Sequence, residues 1–438
     1  MKPGDITTVT VESLTHEGLG VARVDGKAVF IDGALPGERV RLRVTKRRKS
    51  YDLGRTEEIL KRSPERVEPR CRYFGVCGGC SMQHLRAESQ LPAKERVLRD
   101  NLQRIGKVEP ETWLAPLTGP HWGYRRKARL GVRVVEKKGG VIVGFRERNS
   151  SFITPLTSCE VLDPRVSALL PALRELIAGL SSPDRIPQIE VAVGDEAVAL
   201  VFRHLVPLTD ADDGRLAEFA RAHGVQVLLQ PGRPDALVAV WPAQPEPLHY
   251  ALPEFDVALE FAPADFVQVN AELNRAMVRQ ALALLDPQPG DRVLDLFCGL
   301  GNFTLPLARR SGRVLGIEAD AALVSKARHN AERNGITNAE FRQADLYGAD
   351  APDPWGEQAY EKWLLDPPRT GAIEVVKRLP VSGGPRRIVY VSCNPATLAR
   401  DSELLVHAKG YRLRAAGVMD MFPQTSHVEA MALFERAD

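Results

Sequence analysis

Residues 1–62 alternate apolar and polar positions in short runs. Ile6–Ser13, Val21–Val24, Ala28–Ile31 and Glu38–Val44 each send one set of side chains inward and the other outward, the period of a half-buried strand. Turn residues at His16–Gly20, Asp25-Gly26, Asp32-Gly33 and Pro36-Gly37 separate them. Asp25-Gly26 between two short runs predicts a hairpin. The whole predicts an OB-like β-barrel over 1–62. Residues 63–262 mix periods. Leu91–Ile105 and Val166–Leu180 read as helices, and Gln188–Val193, Ala197–Phe202 and Val225–Leu229 as strands. Pro and Gly mark turns at 231–234 and 242–247. This span predicts a central α+β module. From residue 263 to 438 strands and helices alternate. The strands are Arg292–Leu296, Arg313–Ile317, Ala339–Arg342, Lys362–Leu365 and Arg387–Ser392, with helices at Ala321–Asn334 and Ala396–Leu405. That pattern predicts a Rossmann-like α/β domain whose ligands sit beyond the carboxyl ends of the strands.

Composition adds boundaries to this picture. The 438 residues are 44% hydrophobic and 26% charged, which excludes wholesale disorder. No apolar run reaches the ~18 residues of a membrane helix. The first residues, MKPGDITTVTVES, hold no apolar leader segment, so a cytoplasmic protein is expected. The net charge of +3 hides an asymmetry. Residues 1–150 carry 31 Lys and Arg against 18 Asp and Glu, and the remainder carries 28 against 38. A basic front and an acidic back predict a polyanion-binding N-terminal half. Seven of the residues from Arg39 to Lys49 are basic, and Tyr51 follows them. A second basic stretch, His121–Ser150, contains YRRKARLGV, and the Tyr124–Lys127 region within it is expected to grip a nucleic-acid strand.

Six cysteines in a chain of this length do not read as a disulfide framework. Cys71, Cys77 and Cys80 fall within CRYFGVCGGC, whose glycines let the backbone wrap closely around a bound centre. Three thiolates so close call for a metal, and Cys159 is the fourth ligand candidate. Four thiolates suit zinc or an iron–sulfur cluster.

The remaining chemistry lies at strand ends of the α/β domain. The turn DLFCGLGNF is glycine-rich but is not G-x-G-x-x-G. Glu318 closes the next strand roughly 20 residues on, where a carboxylate accepts hydrogen bonds from ribose hydroxyls. Glycine turn and ribose acid fit NAD or S-adenosylmethionine (SAM), and Asp345 and the Asp366-Pro367-Pro368 turn in register favour SAM. Cys393 follows a strand and precedes a helix, a place where helix-terminal amides favour a thiolate nucleophile. Glu429, near the start of the terminal strand, is the matching base. Cys298 reads as a packing residue beneath the turn.

The motifs VSCNPATLARD, LLDPPRTG, DLFCGLGNF, FVQVN and HVEAMALFE together resemble the RNA 5-methyluridine methyltransferases, over essentially the whole chain. The resemblance implies an N-terminal TRAM barrel, a [4Fe–4S] cluster on Cys71, Cys77, Cys80 and Cys159, and a class I SAM methyltransferase domain. It implies Cys393 as the nucleophile that adds to uracil C6 and Glu429 as the base that takes the C5 proton. It places Gln268, Phe297, Asn302, Glu318, Asp345 and Asp366 in the cofactor site. TRAM barrel and cluster together imply the branch acting on one uridine of 23S rRNA, since the tRNA branch is expected to lack both. Another rRNA or tRNA uridine, or a non-catalytic assembly factor, are the alternatives. A monomer with no obligate protein partner and no membrane association is expected, and segment 91–120 is expected to pack on the catalytic domain.

Overall fold

The computed structural model describes residues 2–232, 236–348, 353–356 and 358–437, except the side chain of Lys138. The turn expected at 231–234 therefore falls partly outside the described residues.

The first sheet runs in the order Ile6–Thr10, Arg39–Arg47, Tyr51–Lys61, Lys27–Asp32, Gly20–Val24, Ser13–Leu14. Alternation along Arg39–Arg47 buries Val40, Leu42 and Val44 and exposes Arg39, Arg41 and Arg43. The inward residues meet Val9, Val11, Ala22, Val29 and Ile31 in one small core. Tyr51–Lys61 shows no clean alternation in the sequence, since Arg55–Glu58 is a polar run and the adjacent Ile59 and Leu60 face opposite sides. It is held by pairing with Arg39–Arg47 on one side and Lys27–Asp32 on the other, with Ile59 on the core.

The barrel is tied down by buried charge. Glu38, fully buried, receives Arg66 at 2.6 Å, and Arg66 also reaches the Gly33 carbonyl. Arg148 pairs with Asp32 at 2.6 Å and donates to the Cys80 carbonyl. Removing Arg66 would cost about 3–5 kcal/mol, because the Glu38 charge stays buried, whereas the partly exposed Arg148–Asp32 pair contributes less.

The central sheet runs Val238–Trp241, Gln226–Gln230, Val198–Arg203, Gln188–Val193, Lys127–Val135, Gly140–Gly144. Helices Leu170–Ala178 and Asp210–His223 cover one face. Ala192, Ala199, Val201 and Leu228 on the other face join the core of the C-terminal unit. Burial on both faces explains why Val198–Phe202 is apolar without alternation.

The C-terminal sheet has eight strands: Ala339–Gln343, Arg313–Glu318, Arg292–Leu296, Lys362–Leu365, Arg387–Ser392, Glu429–Arg436, Tyr411–Met419, Thr112–Trp113. The first five are parallel, and Glu429–Arg436 inserts antiparallel between its neighbours. The edge strand Thr112–Trp113 arrives from the N-terminal half and pairs with Ala415-Ala416. Helix Ala87–Asn101 precedes it, prolonged by a wider turn over Leu102–Gly106. Its Leu98, with Leu102, enters the core formed by Leu294, Tyr390 and Leu398. The hairpin Leu248–Leu252/Val257–Phe261 also packs here, bonded through Asn330 and Asn334. Among the described residues no helix is long and apolar enough to cross a membrane.

Candidate active site and cysteine centre

The glycine turn leaves the strand Arg292–Leu296 at its carboxyl end. Phe297, Gly299 and Gly301 adopt left-handed backbone angles, φ +67°, +53° and +94°. Glycine makes two of these cheap, and Phe297 is the strained member. Beneath the turn Cys298 is buried, as expected. A Cβ on Gly316 would stand 2.9 Å from its sulfur, so only glycine fits there.

Glu318 ends the second strand with its carboxylate turned to the loop. It accepts from the Gly299 amide at 3.1 Å and the Ala319 amide at 2.8 Å. Asp345 is exposed beyond the third strand and accepts from the Tyr347 amide at 2.8 Å. The Tyr347 ring lies 5.8 Å from that of Phe297, and its hydroxyl bonds the Gly371 carbonyl. Gln268 is half-buried just ahead of Asn270, which caps helix Ala271–Leu285. Asn302 differs from the simple expectation. Its amide exchanges hydrogen bonds with Asn274 at 2.9 and 3.0 Å and accepts from the Tyr250 hydroxyl. The side chain thus anchors the turn from behind.

Cys393, Asp366 and Glu429 converge at neighbouring strand ends. Ser392 pairs with Ala430, so Cys393 and Glu429 stand level on neighbouring strands, and Leu365 pairs with Tyr390, so Asp366 leaves the adjacent strand two residues below Cys393. Asn394 caps helix Pro395–His407 through the Ala396 amide and holds the Arg369 carbonyl at 3.0 Å. The N-P-A-T sequence therefore fixes the D-P-P-R turn beside the thiol. Arg369 also meets the His427 ring at 3.2 Å.

The electrostatics correct one expectation. The helix terminus was expected to favour a Cys393 thiolate, yet burial, then the charges of Glu429 and Asp366, push the thiol up to about 11. Burial lifts Asp366 to about 7. Burial and the charge of Asp366 lift Glu429 to about 8, against Arg369 and Lys94. Two carboxyls and a thiol share one poorly hydrated cleft, and each opposes ionisation of the others.

Cys71, Cys77, Cys80 and Cys159 line one small cavity, walled by Phe74, Phe145, Leu156 and Val161. The Cys71 amide donates to Gln83 at 3.0 Å and the Gly78 amide to the Arg146 carbonyl at 2.8 Å. Burial, and the other cysteines in turn, push Cys77 up to about 11 and Cys80 up to about 12. As placed, no three or more of the described His, Cys, Asp or Glu side chains form a group that could hold a metal ion. The donor set nevertheless suits one: four soft sulfurs, one apolar-walled cavity, and mutual repulsion that a cation would relieve.

The second basic stretch is used differently from the expectation. Tyr124 is buried with its hydroxyl on the Pro423 carbonyl, Arg126 pairs with Asp195 at 2.5 Å, and Lys127 bonds the Pro263 carbonyl. These residues join units together rather than offer an open face. On the barrel Arg41 and Arg43 meet Glu58 and Glu57, while Lys46, Arg47, Arg48 and Lys49 run exposed. Sequence reasoning gave Arg369 no role, although it sits in the quoted D-P-P-R motif. It also passed over Phe266, which is 74% exposed two residues before Gln268.

A glycine turn, a following acidic strand end and, leaving aside the edge strand Thr112–Trp113, the order of the other seven strands with one antiparallel insertion define a class I SAM-dependent methyltransferase. The tRNA (Uracil-5-)-methyltransferase family profile matches residues 252–345 and 355–437, and the TRAM domain profile residues 1–55. The chain belongs to the family of 23S rRNA (uracil(1939)-C(5))-methyltransferases. It is 58% identical to that enzyme from Aromatoleum aromaticum, covering 97% of this chain and 99% of the relative. The Thiobacillus denitrificans enzyme is 57% identical over 98% and 99%. Among solved structures, the Pyrococcus abyssi tRNA (uracil-54, C5)-methyltransferase in complex with S-adenosyl-L-homocysteine is 26% identical. It covers 98% of this chain and 99% of that one, with a TM-score of 0.75. A tRNA enzyme thus spans this entire architecture, so the presence of the N-terminal modules does not by itself separate rRNA from tRNA enzymes, as the sequence argument held. The identity to the rRNA enzymes carries that distinction.

Proposed function

We propose that this protein transfers a methyl group from SAM to C5 of a uridine in 23S rRNA, the position numbered 1939 in its relatives' names. The observation that carries this is the convergence of Cys393, Glu429 and Asp366 beside the glycine turn, in a chain 58% identical to such an enzyme. Gln268, Phe297, the Asn302 turn, Glu318, Asp345 and Asp366 would hold the cofactor, which supplies an electrophilic methyl. A flipped uridine enters the cleft. The Cys393 thiolate would form a bond to C6, and the electron pair displaced to C5 would take the methyl, with S-adenosylhomocysteine as the leaving group. Glu429 then removes the C5 proton, the C5–H pair rebuilds the C5–C6 double bond, and the C6–S pair returns to Cys393. Phe266 and the Lys46–Lys49 run offer a stacking surface and phosphate contacts to the surrounding strand. A cytoplasmic activity and a monomeric enzyme belong to the same reading.

Incubation with labelled SAM, 23S rRNA and tRNA, then digestion to nucleosides, tests this reading. Label is expected as 5-methyluridine from 23S rRNA alone. Label in 5-methylcytidine, or in tRNA only, refutes it.

The rate should depend on pH in a defined direction. Glu429 must be ionised to accept a proton and Cys393 to attack, and both lie above their ordinary values. The methylation rate should therefore rise through about 8 rather than level off near neutrality. A profile flat from pH 6.5 upward would contradict the assignment of a raised carboxyl.

The cysteine centre is proposed to be a [4Fe–4S] cluster held by Cys71, Cys77, Cys80 and Cys159. Protein purified without air should be brown, and Cys77→Ser should remove the visible absorbance. A colourless native protein containing zinc refutes the iron assignment.

A further inference from the structure

The loop of residues 420–428 joins Tyr411–Met419 to Glu429–Arg436, and it ends on Glu429. Met419 pairs with Glu429, so the loop leaves and re-enters the sheet at one level. Its path therefore decides how the first residue of the returning strand is presented. Most of its hydrogen bonds come from residues some 300 positions earlier in the chain.

Gln424 is the centre of this attachment. Its carbonyl accepts from the Ser81 and Met82 amides, both at 3.0 Å. Its amide donates to Gln90 Oε1 at 3.0 Å, and its Oε1 accepts from Gln90 Nε2 at 3.0 Å. Its backbone is left-handed at φ +67°, a conformation a glutamine holds only when surrounding bonds impose it. Ser81 Oγ accepts from the Ser426 amide at 2.8 Å. Lys94 Nζ donates to Asp420 Oδ1 at 2.5 Å and to the Phe422 carbonyl at 3.0 Å. Gln90, Lys94, Asp420 and Gln424 are all buried, so these bonds are made in a poorly hydrated place where leaving one unmade is costly. Ser81 and Met82 directly follow Cys80.

We propose that Gln90 and Lys94, with Ser81 and the Met82 main chain, are positioning residues that clamp the 420–428 loop and so aim Glu429 at the C5 proton, and that the cysteine centre bears on catalysis through this clamp. The proposal rests on the reading of Glu429 as the base. A clamp for the base affects one step. Addition of Cys393 and methyl transfer do not need Glu429 in place, whereas release of the methylated RNA does. Loosening the clamp should leave enzyme joined to methylated RNA.

The test uses the full-length protein, purified without air, with a 23S rRNA fragment and SAM. Gln90→Leu removes the amide exchange with Gln424. Turnover is expected to fall about tenfold to a hundredfold, the loss typical of a misplaced reacting group. The covalent adduct seen on a denaturing gel should accumulate above the native level. SAM affinity by calorimetry and the visible absorbance per chain should stay native. Glu429→Gln runs alongside as reference. If Glu429→Gln turns over normally, the base reading and the clamp fall together. If it traps adduct while Gln90→Leu behaves as native, the clamp alone is wrong. Turnover that falls without adduct also overturns it, since that is a loss of binding or fold. Should Gln90→Leu not fold, Ser81→Ala removes one hydrogen bond and leaves the packing intact. Adduct above the native level supports the clamp in that variant, and a native level rejects it.

Discussion

Cys393→Ala is expected to abolish methylation and any covalent adduct with RNA. The loss should be on the order of 10^4-fold or more, as for other nucleophiles that act as part of one unit. The reason is chemical. C5 of uracil is a poor nucleophile until a group adds to C6, and no other thiol can reach: Cys298 lies buried under the glycine turn and the remaining four line the separate cavity. SAM affinity should be unchanged, because the turn at 297–303 and Glu318 lie on other strands. Measured by transfer of labelled methyl and by gel shift after denaturation, full activity in this variant would end the mechanism. Turnover that survives with the adduct lost would require direct attack by C5.

Glu429→Gln is expected to do the opposite to the adduct. Addition and methyl transfer proceed, the C5 proton stays, and enzyme accumulates bound to methylated RNA. Turnover should fall by about 10^2- to 10^4-fold, the usual worth of a placed general base. The substitution is nearly isosteric and removes a charge that burial and Asp366 already oppose, so the fold should not suffer. The thiol should also ionise more easily, since Glu429 is the first charge, after burial, that pushes Cys393 up. An adduct forming faster at neutral pH than in the native protein would show this directly. Normal turnover without adduct would assign proton removal elsewhere, Asp366 being the next carboxyl in the cleft.

The strand ends of the catalytic sheet were legible in the sequence because the four parallel strands inside the sheet are short apolar runs, three of them stopping on a polar residue, unlike the edge strand Ala339–Gln343. Glu318 and Asp366 follow such runs directly and Cys393 one residue later, after Ser392, and burial of both sheet faces makes the runs plain. The alternation in Arg39–Val44 was equally readable, since one face of a small barrel is wet. The pair Thr112–Trp113 was not readable. Two residues have no period, and the strand exists only because Ala415-Ala416 offers it a partner. The hairpin at 248–261 and helix 87–101 likewise take their places from distant partners.

Sequence alone determined which chemistry the chain carries. It supplied the thiol, the carboxylates, the glycine turn and the four clustered cysteines, because reactive groups need particular residue types at particular strand ends. It did not decide their acidities or their supports. A helix terminus pointed to an ionised Cys393, and burial of the thiol, with Glu429 and Asp366 packed around it, reversed that. A run of Tyr and basic residues at 124–127 looked like an RNA grip, and only its partners Pro423, Asp195 and Pro263 made it a joint. Lys94 lies in the expected helix Leu91–Ile105 and Gln90 just ahead of it, and neither gains a role until Asp420 and Gln424 close over them. Charge interaction and hydrogen bonding depend on distance in space, and residues some 300 apart in sequence are brought to 3 Å only by the fold.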